Sequence, residues 1–214
     1  MGRPVIMESS CARIYSYVVR TDSGLAPNPF WGFCTLAVCT PNHQAIKARK
    51  GDWIVGWTSG KRGYKLLFAM QLTEEPLHFD AYFNDDRFQQ KKPVMSVDWR
   101  QWCGDNIYHT DSGEWKQSAP SFHGPRRLEA DTRHPQVFIS TKFYYFGRNA
   151  VVVPEQFKEL IWEKQGCKGP EGFEKSGLLP VCAQFVDWLR ESFDPGIHGD
   201  PFDREGDCCR RSCK

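Results

Sequence analysis

The chain has 214 residues, of which 40% are hydrophobic and 25% charged, and a net charge of +2. That length allows one sizeable core, and the balance is that of a globular protein rather than a disordered or fibrous one. So small a positive charge excludes a general nucleic-acid coat, because attraction to a polyphosphate scales with the phosphates neutralised; any such contact has to come from a local patch.

Residues 1–12 read as a disordered leader. Arg13–Arg20, rich in β-branched and aromatic side chains, predicts a strand. Thr21–Trp31 predicts a loop, because Asp22, Gly24 and Pro27-Asn28-Pro29 oppose regular structure. A second strand is expected over Phe33–Cys39, then one or two helical turns over Asn42–Arg49, with Pro41 suited to their start. Residues 51–72 predict a hairpin: Gly51-Asp52 opens onto Trp53–Trp57, a basic Gly60–Gly63 loop follows, and Tyr64–Leu72 returns. Alternation puts Trp53, Val55 and Trp57 on one face and Ile54 and Gly56 on the other.

Leu77–Phe88 predicts a helix over this hairpin, with Phe79, Tyr82 and Phe83 on one face. Lys91–Arg133 shows no clear periodicity and predicts a long irregular insertion. Gln136–Ile139 and Phe143–Phe146 predict strands around a Ser-Thr-Lys turn. Pro154–Lys164 and Val181–Phe193 predict helices, and 194–214 a flexible Cys-rich tail. The order implies an α+β fold: a small curved mixed or antiparallel sheet with flanking helices, forming a single domain over 13–193.

No apolar run reaches the roughly 18 residues of a transmembrane helix. Met1–Ser10 lack the apolar core of a signal peptide, so a cytoplasmic location is expected. The nine cysteines are an odd, scattered set, which favours reduced thiols over disulfides.

Three constellations bear on function. Tyr15, Tyr17, Phe30, Trp31, Trp53 and Trp57 are rings on which a flipped base could stack, at about 1–3 kcal/mol per base, and Asn28 offers a donor and an acceptor to a base edge. The competing reading is that these rings fill the core. Lys47, Arg49, Lys50, Lys61, Arg62 and Lys65 form a basic set. Lys61, Arg62 and Lys65, around the Gly60–Gly63 loop, are the candidate phosphate contacts, against the alternative of a solvated charged surface.

Asp105, Asn106, Tyr108 and His109, followed by Asp111, combine acid, amide, phenol and imidazole in a few positions and are the candidate catalytic group. Asp and Asn also favour turns for local reasons, and residues on an irregular segment need not converge. Cys34, Cys39 and His43 are zinc-ligand types, but a strand would turn the two cysteines to opposite sides, so buried thiols are the better reading. Cys208, Cys209 and Cys213 fall in the tail, and His78, His123, His134 and His198 show no partner pattern. No metal or cofactor is expected.

Tyr15–Arg20, Ala26–Pro41, Lys50–Gly56 and Gly104–His109 together resemble the second type of nucleotide modification-associated domain, over roughly Arg13 to Arg190. Members of that family occur in bacteria and phages and are linked by genome context to DNA base modification or its restriction. A looser likeness in the first half, through the opening strand, aromatic loop and Gly-Asp turn, is to the PUA-like EVE, ASCH and YTH domains, which hold modified or flipped bases in an aromatic pocket. The resemblances imply a DNA or nucleotide partner, with a modified base, and a place in a modification or restriction system.

Two function classes follow. The first is a recognition module: Trp53 and Trp57 stack, Asn28 reads, Lys61 and Arg62 contact phosphate, and space beside Gly56 accepts the extra substituent. The second is an enzyme acting on nucleotides or DNA, a base-modifying transferase, glycosylase or nuclease, with Asp105 and His109 as acid–base pair. A protein-interaction scaffold with the rings in its core is the third option.

Overall fold

The computed structural model describes residues 12–38, 46–95, 98–119, 121, 123–164 and 166–203. The leader up to Cys11, Cys39, His43, the first half of the turns expected over 42–49, and the tail from Arg204 on, with Cys208, Cys209 and Cys213, lie outside them, and 46–49 carry no helix. In chain order the strands are β1 (Ile14–Val18), β2 (Cys34–Leu36), β3 (Trp53–Trp57), β4 (Leu66–Gln71) and β5 (Leu77–His78). Helix α1 (Phe79–Asn84) and helix α2 (Trp99–Trp102) precede β6 (Tyr108–Asp111) and β7 (Glu114–Gln117). After α3 (Leu128–Asp131) come β8 (Gln136–Ser140), β9 (Lys142–Tyr145), α4 (Pro170–Lys175), α5 (Leu179–Ser192) and β10 (Gly196–Ile197).

The fold is α+β, with a mixed five-stranded sheet in the order β1-β3-β4-β9-β10, a three-stranded sheet β2-β8-β5 and the β6-β7 hairpin, all open. β1 runs parallel to β3 and β10 parallel to β9, while β3-β4 and β4-β9 are antiparallel. Among the described residues no helix is long and apolar enough to cross a membrane.

The alternation expected along β3 is present, and both of its faces are covered. Trp53, Val55 and Trp57 pack with Ile14, Leu66 and Tyr144 beneath Phe157, Phe173, Phe185 and Leu189. Ile54 packs on the other side, with Phe68, Met70 and Tyr145, against Leu36, Phe79 and Phe138. Trp53 and Trp57 retain 1% and 0% of their surface, so the stacking role expected of them is corrected: they are core side chains. Trp57 donates from Nε1 to Ser16 Oγ at 2.7 Å, and its ring lies 6.1 Å from that of Phe185. The room expected beside Gly56 is taken by Phe68, whose Cε1 lies 2.1 Å from where a Cβ would stand.

The long helix α5 buries Cys182, Phe185, Val186 and Leu189, the one-sided spacing of an amphipathic helix. It starts before the expected Val181 because Pro180 is tolerated in a first turn. Two other expected helices shorten. Leu77–Phe88 divides into β5, α1 and a 3₁₀ turn over Asp86–Lys91, and Pro154–Lys164 keeps one 3₁₀ stretch, Glu155–Leu160. Residues 91–133 hold regular structure after all, notably β6 and β7, joined by Ser112 and Gly113 at φ 52° and 84°. Two positive-φ residues between paired strands give the turn whose twist suits a tight hairpin.

The segment after Asp194 is docked rather than frayed as far as Asp203. β10 pairs with β9, Phe202 N and Tyr145 Oη donate to Asp22 at 3.0 and 2.6 Å, and Asp22 N donates to Asp203 Oδ2 at 2.8 Å. Burial pushes the Asp22 carboxyl up to about 6, against the hydrogen bonds from Tyr145 and Phe202.

A folded-state value above the unfolded 3.8 means that stability from Asp22 is full below 3.8 and is lost as pH rises through about 6. Asp22→Asn should therefore flatten the pH dependence of stability, the wild type gaining up to roughly 3 kcal/mol on the variant between neutral and acid pH in denaturant titrations. Gly56→Ala should destabilise by about 1–3 kcal/mol, because the methyl group enters the Phe68 ring; Phe68→Leu in that background should recover part of the loss.

Candidate functional site

Of the seven residues expected to hold a base, Trp31 alone is partly exposed; Tyr15, Tyr17, Asn28, Phe30, Trp53 and Trp57 are buried. Trp31 stands at the tip of a short hairpin. Asn28 N donates to Thr35 O and Thr35 N to Asn28 O, both at 2.9 Å, and Phe33 N reaches Phe30 O at 3.4 Å. Between them Trp31 and Gly32 have φ of 57° and 79°. That pair of positive angles favours Asn, Asp or Gly; an L-residue with a bulky side chain gives up about 1–2 kcal/mol to hold it.

Around the indole lies an aromatic and cationic surface. Phe30 meets Trp31 edge-on at 5.7 Å and Trp99 edge-on at 5.4 Å. The Arg100 guanidinium lies 5.3 Å from the Trp99 ring, and Lys91 Nζ lies 5.8 Å from that of Trp31. Val94 and Met95 are exposed beside α2, to which Val94 N is tied through Gln101 O at 3.1 Å.

Beneath the hairpin is a buried polar network. Lys91, 1% exposed, donates from Nζ to Asn28 O at 3.0 Å, Asn28 Oδ1 at 2.8 Å and Phe33 O at 3.1 Å. Burial lowers its ammonium to about 8, against the pull of Asp105 and Cys34. Burial raises the Asp105 carboxyl, opposed by Lys91, Thr35 and Tyr82; Thr35 Oγ1 and Tyr82 Oη donate to its two oxygens at 2.6 and 2.7 Å. Burial also pushes the Cys34 thiol up to about 12. Asn28 Nδ2 donates to Cys103 O at 2.8 Å, so both ends of that amide are engaged and its expected base-reading role is corrected.

The expected catalytic group is dispersed over separate surroundings. Asp105 faces Thr35 and Tyr82, and Asn106 donates from Nδ2 to Tyr82 O and Phe88 O at 3.1 and 3.2 Å. His109 stacks on Phe83 at 4.0 Å, with its Nδ1 buried and unpartnered among the described residues. The acid–base pair expected of Asp105 and His109 is therefore corrected. Tyr108 Oη instead donates to Asp131 Oδ2 at 2.7 Å, an oxygen that His123 Nδ1 also meets. Of the candidate phosphate contacts, Arg62 is held by Asp203 through 2.7 and 3.2 Å bonds and lies 4.4 Å from the Phe202 ring, whereas Lys61 is exposed and Lys65 half-buried.

Lys91, Thr35, Tyr82, His123 and Asp131 were not expected at any site. Gln-Gln-Lys-Lys-Pro around Lys91 reads as surface, and nothing local marks the other four as partners.

The sequence profile of nucleotide modification associated domain 2 matches residues 11–207, nearly the whole chain, and the chain belongs to that family. The resemblance carried by 15–20, 26–41, 50–56 and 104–109 is thereby borne out. No curated protein and no solved structure matches the chain. Its context is nucleotide modification.

Proposed function

We propose that this member of the nucleotide modification associated domain 2 family is a recognition module in which Trp31 stacks on a nucleobase, most simply a modified base in DNA. The observation that carries the reading is the tip of the 28–35 hairpin. A large aromatic residue occupies a left-handed position that smaller residues fill at less cost, and its ring stays partly open to solvent. Strain retained at an accessible ring is expected where the ring has work outside the fold. Trp99 and Arg100, joined to Trp31 through the buried ring of Phe30, extend the surface along which a base and its neighbours could lie. Lys61 and Lys65 are the remaining basic groups for the nucleic-acid backbone, within a cytoplasmic modification or restriction system.

Trp31→Ala should lower affinity for duplexes carrying methylated or hydroxymethylated bases by about 1–3 kcal/mol while unfolding stays cooperative. Trp31→Asn should lose as much binding with no fall in thermal midpoint, since Asn tolerates the left-handed turn. Fluorescence-anisotropy titrations that give wild-type affinity for both variants would remove the stacking model. Lys61→Ala should weaken binding to every sequence alike and flatten the salt dependence by about one log–log unit; an unchanged slope excludes Lys61 as a phosphate contact.

A further inference from the structure

Trp162, Lys164 and Lys168 belong to no part of the proposed base site. They lie on a loop whose two ends are tied to one residue of β1. Ser16 Oγ donates to Leu160 O at 2.5 Å, and the Ser16 backbone exchanges hydrogen bonds with that of Lys168 at 2.9 and 2.8 Å. Trp162, just inside this closed loop, keeps part of its indole open to solvent. Glu163, next to it, takes a hydrogen bond from Tyr64 Oη at 2.9 Å, which ties the loop to the segment that carries Lys61 and Lys65.

Two ammonium groups gather on that indole. Lys164 Nζ and Lys168 Nζ each lie 5.4 Å from the centre of the Trp162 ring, within the range of a cation–π contact. Lys168, half-buried, is the more closely held. Its Nζ also lies 4.6 Å from the Phe173 ring and donates to Ser176 Oγ at 3.4 Å. Its stem crosses α4 where Gly172 has no side chain: a Cβ there would stand 2.8 Å from both Lys168 Cγ and Cε. Neither ammonium is paired with a carboxylate among the described residues, and the adjacent Glu163 is turned to Tyr64. Two like charges brought to one ring without a counter-charge repel each other, and an anion laid across them relieves that repulsion.

We propose that Lys164 and Lys168, held against Trp162, are a phosphate-contact site for the backbone of a nucleic-acid strand. A polyphosphate supplies a row of anions at the spacing of its own chain, so two separate ammoniums can each neutralise one. The site grips the backbone and carries no base information, which is left to Trp31. Trp162 is a positioning residue that gathers the two lysines. For its partner the proposal rests on the nucleic-acid reading above; it does not depend on Trp31.

The test is fluorescence anisotropy of the full chain on a base-methylated duplex and its unmethylated counterpart, titrated over a series of salt concentrations. Lys164→Gln and Lys168→Gln should weaken binding to both duplexes alike. Each should flatten the log–log salt slope by about one unit, and the double variant by about two. Lys168→Arg keeps the charge and should keep the wild-type slope; a slope lost equally in that variant assigns the effect to the shape of the loop and overturns the proposal. Wild-type slopes in the double variant overturn it too, as does failure of the wild-type chain to bind either duplex at low salt. Trp31→Ala should leave the slope unchanged and remove the preference for the methylated duplex. A methylated nucleoside has no phosphate, so its binding and its loss in Trp31→Ala support base stacking even where the lysine contact fails, and its retention in that variant removes stacking alone.

Discussion

The buried ammonium of Lys91 is the tie on which the candidate base site depends. Taking a lysine out of water costs several kcal/mol unless its donors are matched, and here Asn28 O, Asn28 Oδ1 and Phe33 O take them, with Asp105 nearby as counter-charge. Asn28 and Phe33 flank the Trp31–Gly32 turn, so one side chain fixes both arms of the hairpin. The backbone of the same segment is held in turn: Asn106 N donates to Lys91 O at 3.0 Å, and a Cβ on Gly104 would stand 2.4 Å from that oxygen. Only glycine permits so close an approach of two backbones. The 91–106 stretch, which in sequence reads as part of a long irregular insertion, is thus the support on which the tip of the hairpin rests.

The sequence conveyed the architecture in outline, for reasons that are local. Alternation along Trp53–Trp57, the one-sided spacing of Phe185 and Leu189, and the Ser-Thr bend between Gln136 and Tyr145 are each set by neighbours a few residues apart. What covers a face is decided by distant segments, and period-2 alternation carries no record of it. Gly56 shows the difference. The missing side chain does mark space beside the strand, but Phe68 from the adjacent strand occupies it. The same ambiguity applied to every ring considered for base binding, and burial resolved it against all but Trp31.

The candidate catalytic residues were misleading in the opposite direction. Gly104–His109 is compact in sequence, yet its polar side chains go to different surroundings; Tyr108 and His109, adjacent on β6, contact Asp131 and Phe83. Successive strand residues point to opposite sides, so closeness along the chain works against convergence. Conversely, Tyr108, His123 and Asp131 meet only because the β6-β7 hairpin turns the chain back and α3 follows it. Ser112 and Gly113 between two short polar-aromatic stretches were the legible sign of that hairpin. Reading the region as irregular hid the turn and the convergence with it.

Strain and support lie side by side in this fold. Trp31 holds a backbone angle that an asparagine or glycine would hold at less cost, on a hairpin closed by few backbone hydrogen bonds. Such a tip, left to itself, would exchange the left-handed tryptophan for relaxed conformations. The charge-assisted bonds from Lys91 act directly beneath it, each stronger than a neutral backbone bond. They make the strained turn the least free part of the hairpin. A ring intended only to fill the core needs neither the strained angle nor an ammonium beneath it, since Phe30 beside it packs with an ordinary backbone and 4% of its surface exposed. The pairing of a costly conformation with a costly buried charge is therefore best understood as fixing one indole, at one angle, at the surface.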